Sequence, residues 1–102
     1  MTLRFKPMAQ TDLRALRLWS LQHWGPVQTR DYVVGLKQAF ALLEARPDLG
    51  RPRDLIVPTL RSWKYNLHIV FYVKIPVGIS IVRVLHERQN AAALDFAALL
   101  ES

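Results

Sequence analysis

A chain of 102 residues, about half of them apolar, has the size of one folded domain with a single modest core, here residues 1–102, and no repeat or low-complexity tract divides it. It contains no cysteine, which excludes disulfides, thiolate catalysis and cysteine-ligated zinc and suits a reducing compartment. The formal charge of +6 admits nucleic acid, an acidic protein or an anionic surface as partner, but the basic residues are scattered without a polybasic run, so charge alone does not choose.

The opening "MTLRFKPMAQTD" has no h-region, and no apolar run approaches the length that spans a bilayer, so a cytoplasmic protein without membrane association is expected. "TLRFK" alternates as a short strand, and Pro7 ends it. From Met8 to Trp24 the spacing of Leu13, Leu16, Ser20 and Trp24 predicts a helix, with Thr11 or Asp12 available as a cap. Gly25 suits the end of that helix and Pro26 the first turn of the next, so the two run antiparallel. Val33, Leu36, Phe40 and Leu43 repeat at helical intervals, and the second helix ends by Arg46, before Pro47.

"RPDLGRPRDLIVPT" reads as a loop, with Leu49, Leu55 and Ile56 pinning it to the core. Three strands follow: Leu60 to Asn66, Leu67 to Lys74 and Gly78 to Leu85. "IPVG" forms the hairpin connection between the last two. Their apolar residues alternate onto both faces. Ile69, Phe71 and Val73 oppose Val70 and Tyr72, and Ile79, Ile81 and Leu85 oppose Val82 and Val84. Helices cover one face, and the other is expected to await a foreign chain. The last segment, from Asn90 to Leu100, reads as a helix with Leu94, Ala97 and Leu100 as its stripe. The order β-α-α-β-β-β-α is α+β, a helical hairpin packed on a small antiparallel sheet.

The hairpin with "WG" between its helices, then "PDLGR", then "LR" followed by "HIVFYV" and "IVRVLHER", resembles the RelE/ParE superfamily of bacterial type II toxins, closest to the ParE branch. The likeness runs from about Leu3 to Asn90. It implies a small toxin neutralised by a labile ParD-like antitoxin, with DNA gyrase as the target and plasmid stabilization as the wider role. In the RelE branch it would instead imply a ribosome-dependent messenger-RNA endonuclease. A basic nucleic-acid-binding module without toxicity is a third reading, from charge alone.

RNA cleavage needs a base, an acid and cations at the phosphate. Arg61, Arg83 and His86 are the residues that could supply them, and a hairpin loop of Ile75 to Gly78 would set Arg83 opposite Val70, beside Tyr72 and His68. The lysines and C-terminal tyrosine of the RelE pattern are absent, so no catalytic residue is assigned. Guanidinium groups on the open sheet face are expected to bind carboxylates of the antitoxin. Candidate antitoxin- or target-binding residues are Arg61, Trp63, Lys64, His68, Tyr72, Arg83, His86 and Arg88. Trp63 is the anchor on an edge strand to which a partner strand could add. The histidines lack metal-ligand spacing, and neither metal nor cofactor is expected; nor is direct nucleic-acid binding by the free protein.

Overall fold

The computed structural model describes residues 2–101. The elements run β1 (Thr2–Phe5), α1 (Pro7–Trp24), α2 (Pro26–Ala45), β2 (Arg51–Pro52), β3 (Arg61–Tyr65), β4 (His68–Ile75), β5 (Gly78–His86), a 3-10 turn at Ala91–Ala93 and α3 (Phe96–Leu100). The fold is α+β, with the two long helices against one sheet. Pro7 and Pro26 each sit in the first turn of a helix, where a missing N–H costs nothing. Gly25, at φ +83°, joins the two helices in a backbone conformation that L side chains rarely adopt. The expected cap at Thr11 or Asp12 is displaced, because the helix begins one turn earlier, after Lys6.

The sheet order is β1-β5-β4-β3-β2. Its neighbours are antiparallel except β1, which lies parallel to β5, so the sheet is mixed. A parallel pair needs a long connection, which everything between β1 and β5 supplies. Gly78 permits this junction: a Cβ there would strike the Thr2 backbone. Ile75 pairs directly with Gly78, so the β4–β5 hairpin closes on Pro76 and Val77 alone.

One irregularity changes which side chains share a face. Phe71 pairs with Arg83 while Tyr72 pairs with Ile81, leaving Val82 as the extra residue of a bulge. Strict alternation would group Leu85 with Ile79 and Ile81. Instead Val84 joins them in the cluster beneath the helices, with Leu16, Leu36, Phe40, Leu43, Val70 and Tyr72. Leu85 joins Val82 in a second cluster on the opposite face, with Leu60, Phe71, Val73 and Phe96.

That opposite face is not open. Phe96 lies against Phe71 with ring centroids 5.0 Å apart, and Ala91, Leu94, Leu99, Leu100, Ile56 and Val57 pack around it. The expectation of an uncovered second face is therefore corrected, since the C-terminal segment folds back over it. Leu49 and Ile56 pack inward as expected, but Leu55 is fully exposed at the tip of its loop. No helix among the described residues is long and apolar enough to cross a membrane.

Candidate functional site

An apolar opening lies between the two long helices and β1. A groove of about 490 Å³ is lined by Leu3 and Phe5 of β1, Leu13 and Leu16 of α1, and Val33, Leu36 and Phe40 of α2. Arg14, Arg17 and Lys37 stand on its walls. Local periodicity builds it: Leu13 and Leu16 on α1, and Val33, Leu36 and Phe40 on α2, fall at intervals of three and four, which places each set along one helix face. The Phe5 and Phe40 rings meet edge to face at 5.3 Å and fix β1 against α2. An apolar trough with exposed cations at its rim is the complement of an amphipathic helix carrying acidic flanks.

The eight sequence candidates do not form one site. Arg83 is 8% exposed, and its guanidinium grips the Asp12 carboxylate of α1 with Nε at 2.6 Å and Nη2 at 2.8 Å, while the Val84 amide donates to the same carboxylate at 2.9 Å. With its fork so engaged, Arg83 is a bond between β5 and α1. Because of the bulge it lies opposite Phe71, not Val70.

Arg61 and Tyr72 form a different clamp, on the loop after α2. Arg61 Nη1 donates to the carbonyls of Asp48, at 3.0 Å, and Gly50, at 2.7 Å. The fully buried Tyr72 hydroxyl donates to the Pro47 carbonyl and accepts from the Gly50 amide. Burial pushes the Tyr72 phenol above its usual range. Lys74 pairs with Asp48 at 2.6 Å and holds that exposed carboxyl below its ordinary value.

His68 and His86 face each other across β4 and β5, with ring centroids 5.5 Å apart. His68 is buried, and its Nδ1 lies 2.7 Å from the Tyr32 hydroxyl of α2. Burial, then the neighbouring His86, pushes the His68 imidazole down to about 4, so it is neutral at pH 7. His86 and Arg88 lie at the surface end of β5, and exposed Lys64 pairs with Glu87 at 3.1 Å, which lowers the Glu87 carboxyl. Trp63 is half-buried against the cluster under the helices. β2 pairs only with Arg61 and Ser62, so the edge of β3 from Trp63 onward is uncovered by β2.

The three residues named for RNA cleavage are thus apart in chemistry. Arg61 is spent on loop carbonyls, Arg83 on Asp12, and His86 sits where its Nδ1 accepts the Arg88 amide at 3.1 Å. No group of three or more histidine or acidic side chains among the described residues could hold a metal ion. Sequence reading missed Asp12 and Tyr32, whose roles depend on partners 71 and 36 residues away. It also missed the rim of Arg14, Arg17 and Lys37, which is visible in the sequence as cations flanking the apolar helix positions.

Comparison with known proteins agrees with this architecture. The model of the family described as ParE toxin of type II toxin-antitoxin system, parDE, matches residues 3–91. Toxin ParE1 of Caulobacter vibrioides is 32% identical over 90 residues, covering 88% of this chain and 93% of the relative. Toxin ParE of Escherichia coli is 30% identical over 83 residues, covering 80% and 81%. A solved structure described as the chromosomal ParDE TA system from P. aeruginosa superposes with a TM-score of 0.72 at 22% identity, over 84% of this chain and 95% of that one.

Proposed function

Because the chain belongs to the ParE family, the toxins of parDE type II toxin-antitoxin systems, we propose that it is held inactive by a ParD-like antitoxin seated in the groove between α1 and α2, and that the released protein blocks DNA gyrase in the cytoplasm by protein contact. The observation that carries the first half is the groove itself: an apolar floor reaching from β1 to both helices, with Arg14, Arg17 and Lys37 along it. An antitoxin helix with aliphatic residues on one face and carboxylates at its flanks buries the apolar floor and pairs the cations. The β1 edge beside it, away from β5, is placed to accept an extended segment. Together these contacts would bury more than about 1,000 Å².

The second half rests on family membership and on the engagement of the arginines. A gyrase-binding toxin needs no scissile-phosphate site of its own, and here Arg61 and Arg83 are both committed to internal acceptors.

Expression of the chain alone should halt growth, and the purified protein should block gyrase supercoiling or stabilise gyrase-cleaved DNA. Cut messages with intact supercoiling in arrested cells would replace gyrase by the ribosome. For the groove, Arg17→Glu should weaken antitoxin binding by about tenfold or more while the toxin stays folded. An unchanged affinity would place the antitoxin elsewhere.

A further inference from the structure

A second cavity, of about 460 Å³, opens between α1 and the adjoining ends of β4 and β5, with Asp12, Leu16, Trp19, His68, His86 and Arg88 among its lining residues. It is separate from the groove on the helices except for sharing Leu16.

His68 is 7% exposed, yet it reaches this cavity. One ring nitrogen is fixed by the Tyr32 hydroxyl at 2.7 Å, and the Leu67 amide holds that hydroxyl in place at 3.1 Å. The other nitrogen has no hydrogen-bond partner among the described residues. That nitrogen is not among the buried polar atoms left without a partner, so it keeps contact with solvent and is open to a ligand atom in the cavity that His68 lines. On the neighbouring strand His86 Nδ1 accepts the Arg88 amide, so the neutral ring carries its proton on Nε2 and has that donor to offer. The Arg88 side chain is exposed, and its guanidinium makes no ion pair among the described residues.

The carboxylates near the cavity do not oppose an anion strongly: Glu87, whose charge reaches His68, His86 and Arg88, is paired with Lys64 at 3.1 Å. Asp12 accepts three hydrogen bonds, two of them from the Arg83 guanidinium, so its charge is already offset. On the helix side, Trp19 is 43% exposed with one ring face stacked on His23 at 4.0 Å, and the indole supplies a flat apolar wall.

Imidazoles and a guanidinium on one wall, with an aromatic ring across from them, are the two halves of a site for a phosphate joined to a planar base. We propose that this cavity binds a nucleoside monophosphate, the phosphate held by Arg88 and the His86 Nε2–H, beside His68, and the base laid against Trp19. The proposal stands on this cavity alone and is independent of the toxin reading.

The test is titration of adenosine 5'-monophosphate, and separately inorganic phosphate, into the purified full-length chain, read by the imidazole and indole NMR signals of His68, His86 and Trp19. Saturable shifts of these three signals are expected below about 1 mM nucleotide, with phosphate alone at least about tenfold weaker. Arg88→Gln should weaken both ligands about tenfold or more. Trp19→Leu should weaken the nucleotide and leave phosphate unchanged. Arg30→Gln, which removes an exposed cation of α2 outside the cavity, should change neither.

Absence of shifts at about 10 mM overturns the proposal. So does an equal response to Arg88→Gln and Arg30→Gln, which would mean charge attraction alone, or equal affinity for phosphate and nucleotide, which would remove the base subsite. Displacement of the nucleotide by free glutamate at equal concentration would overturn it too, assigning the cavity to a carboxylate of a protein partner.

Discussion

On one face of the sheet lie helices of 18 and 20 residues, bonded to it by the paired Asp12 and Arg83, by Tyr32 on His68 and by a continuous apolar cluster. On the other lies a 3-10 turn and a five-residue helix that buries one side chain, Phe96. The backbone hydrogen bonds described for that segment close within it, through the caps at Asn90 and Asp95, and a tether to the rest of the chain runs from Lys6 Nζ to the Leu100 carbonyl at 3.0 Å. Both faces are covered, but in different ways. The first adds to its apolar cluster polar bonds that demand one geometry, whereas the second is held chiefly by apolar area, which tolerates sliding or lifting. Rigidity is therefore concentrated where the groove is, and local opening where the C-terminal segment is.

The largest break in this contrast is expected from Asp12→Ala. It leaves the Arg83 guanidinium buried without its carboxylate and the Val84 amide without its acceptor, a loss of about 3–5 kcal/mol. Urea unfolding measures it, and a loss below about 1 kcal/mol would show that the pair does not anchor α1. Phe96→Ala should cost less, about 2 kcal/mol. The usual Phe-to-Ala range is higher, but a segment that can detach limits the damage to its own docking energy. Dye binding to exposed apolar surface should rise, and the amides of the C-terminal segment should exchange well before those of α2; equal protection would erase the distinction between the faces.

Acid should then sharpen the helix side. His68 titrates near 4 in the folded chain against 6.5 unfolded, so between those values the unfolded state takes a proton that the folded state refuses. Stability contributed at this site is full above pH 6.5 and is lost as pH falls toward 4, by on the order of 3 kcal/mol. His68→Asn should flatten that slope; an unaltered slope would move the cause to another group. The smallest effect expected is from Thr29→Val. Thr29 Oγ1 is buried in α2 with no partner among the described residues, so removing the hydroxyl should stabilise by about 0.5–1 kcal/mol, measured as a rise in Tm.

The elements were legible in the sequence wherever local pattern decides. Pro7, Pro26 and Pro47 bound the helices, Gly25 turns the hairpin, and β-branched density marks β4 and β5. The family was legible too, from motifs in order along the chain. Faces and partners were not. A single bulged residue, Val82, exchanges Val84 for Leu85 between the two clusters, and nothing in "ISIVRVLH" announces it. Arg83 looked like a surface cation because its carboxylate lies in α1, where Asp12 looked like a cap. The parallel placement of β1 was equally hidden, since strand order is set by tertiary pairing and not by propensity.

That placement has a kinetic side. Thr2 to Phe5 find their only described ladder on Gly78 to Ile81, so the first strand made waits for the last before it can bond. The floor of the interhelical groove, formed by Leu3 and Phe5, comes into being only at that late closure. During synthesis the helical hairpin can form locally, whereas the groove is complete only once the end of the sheet has left the ribosome.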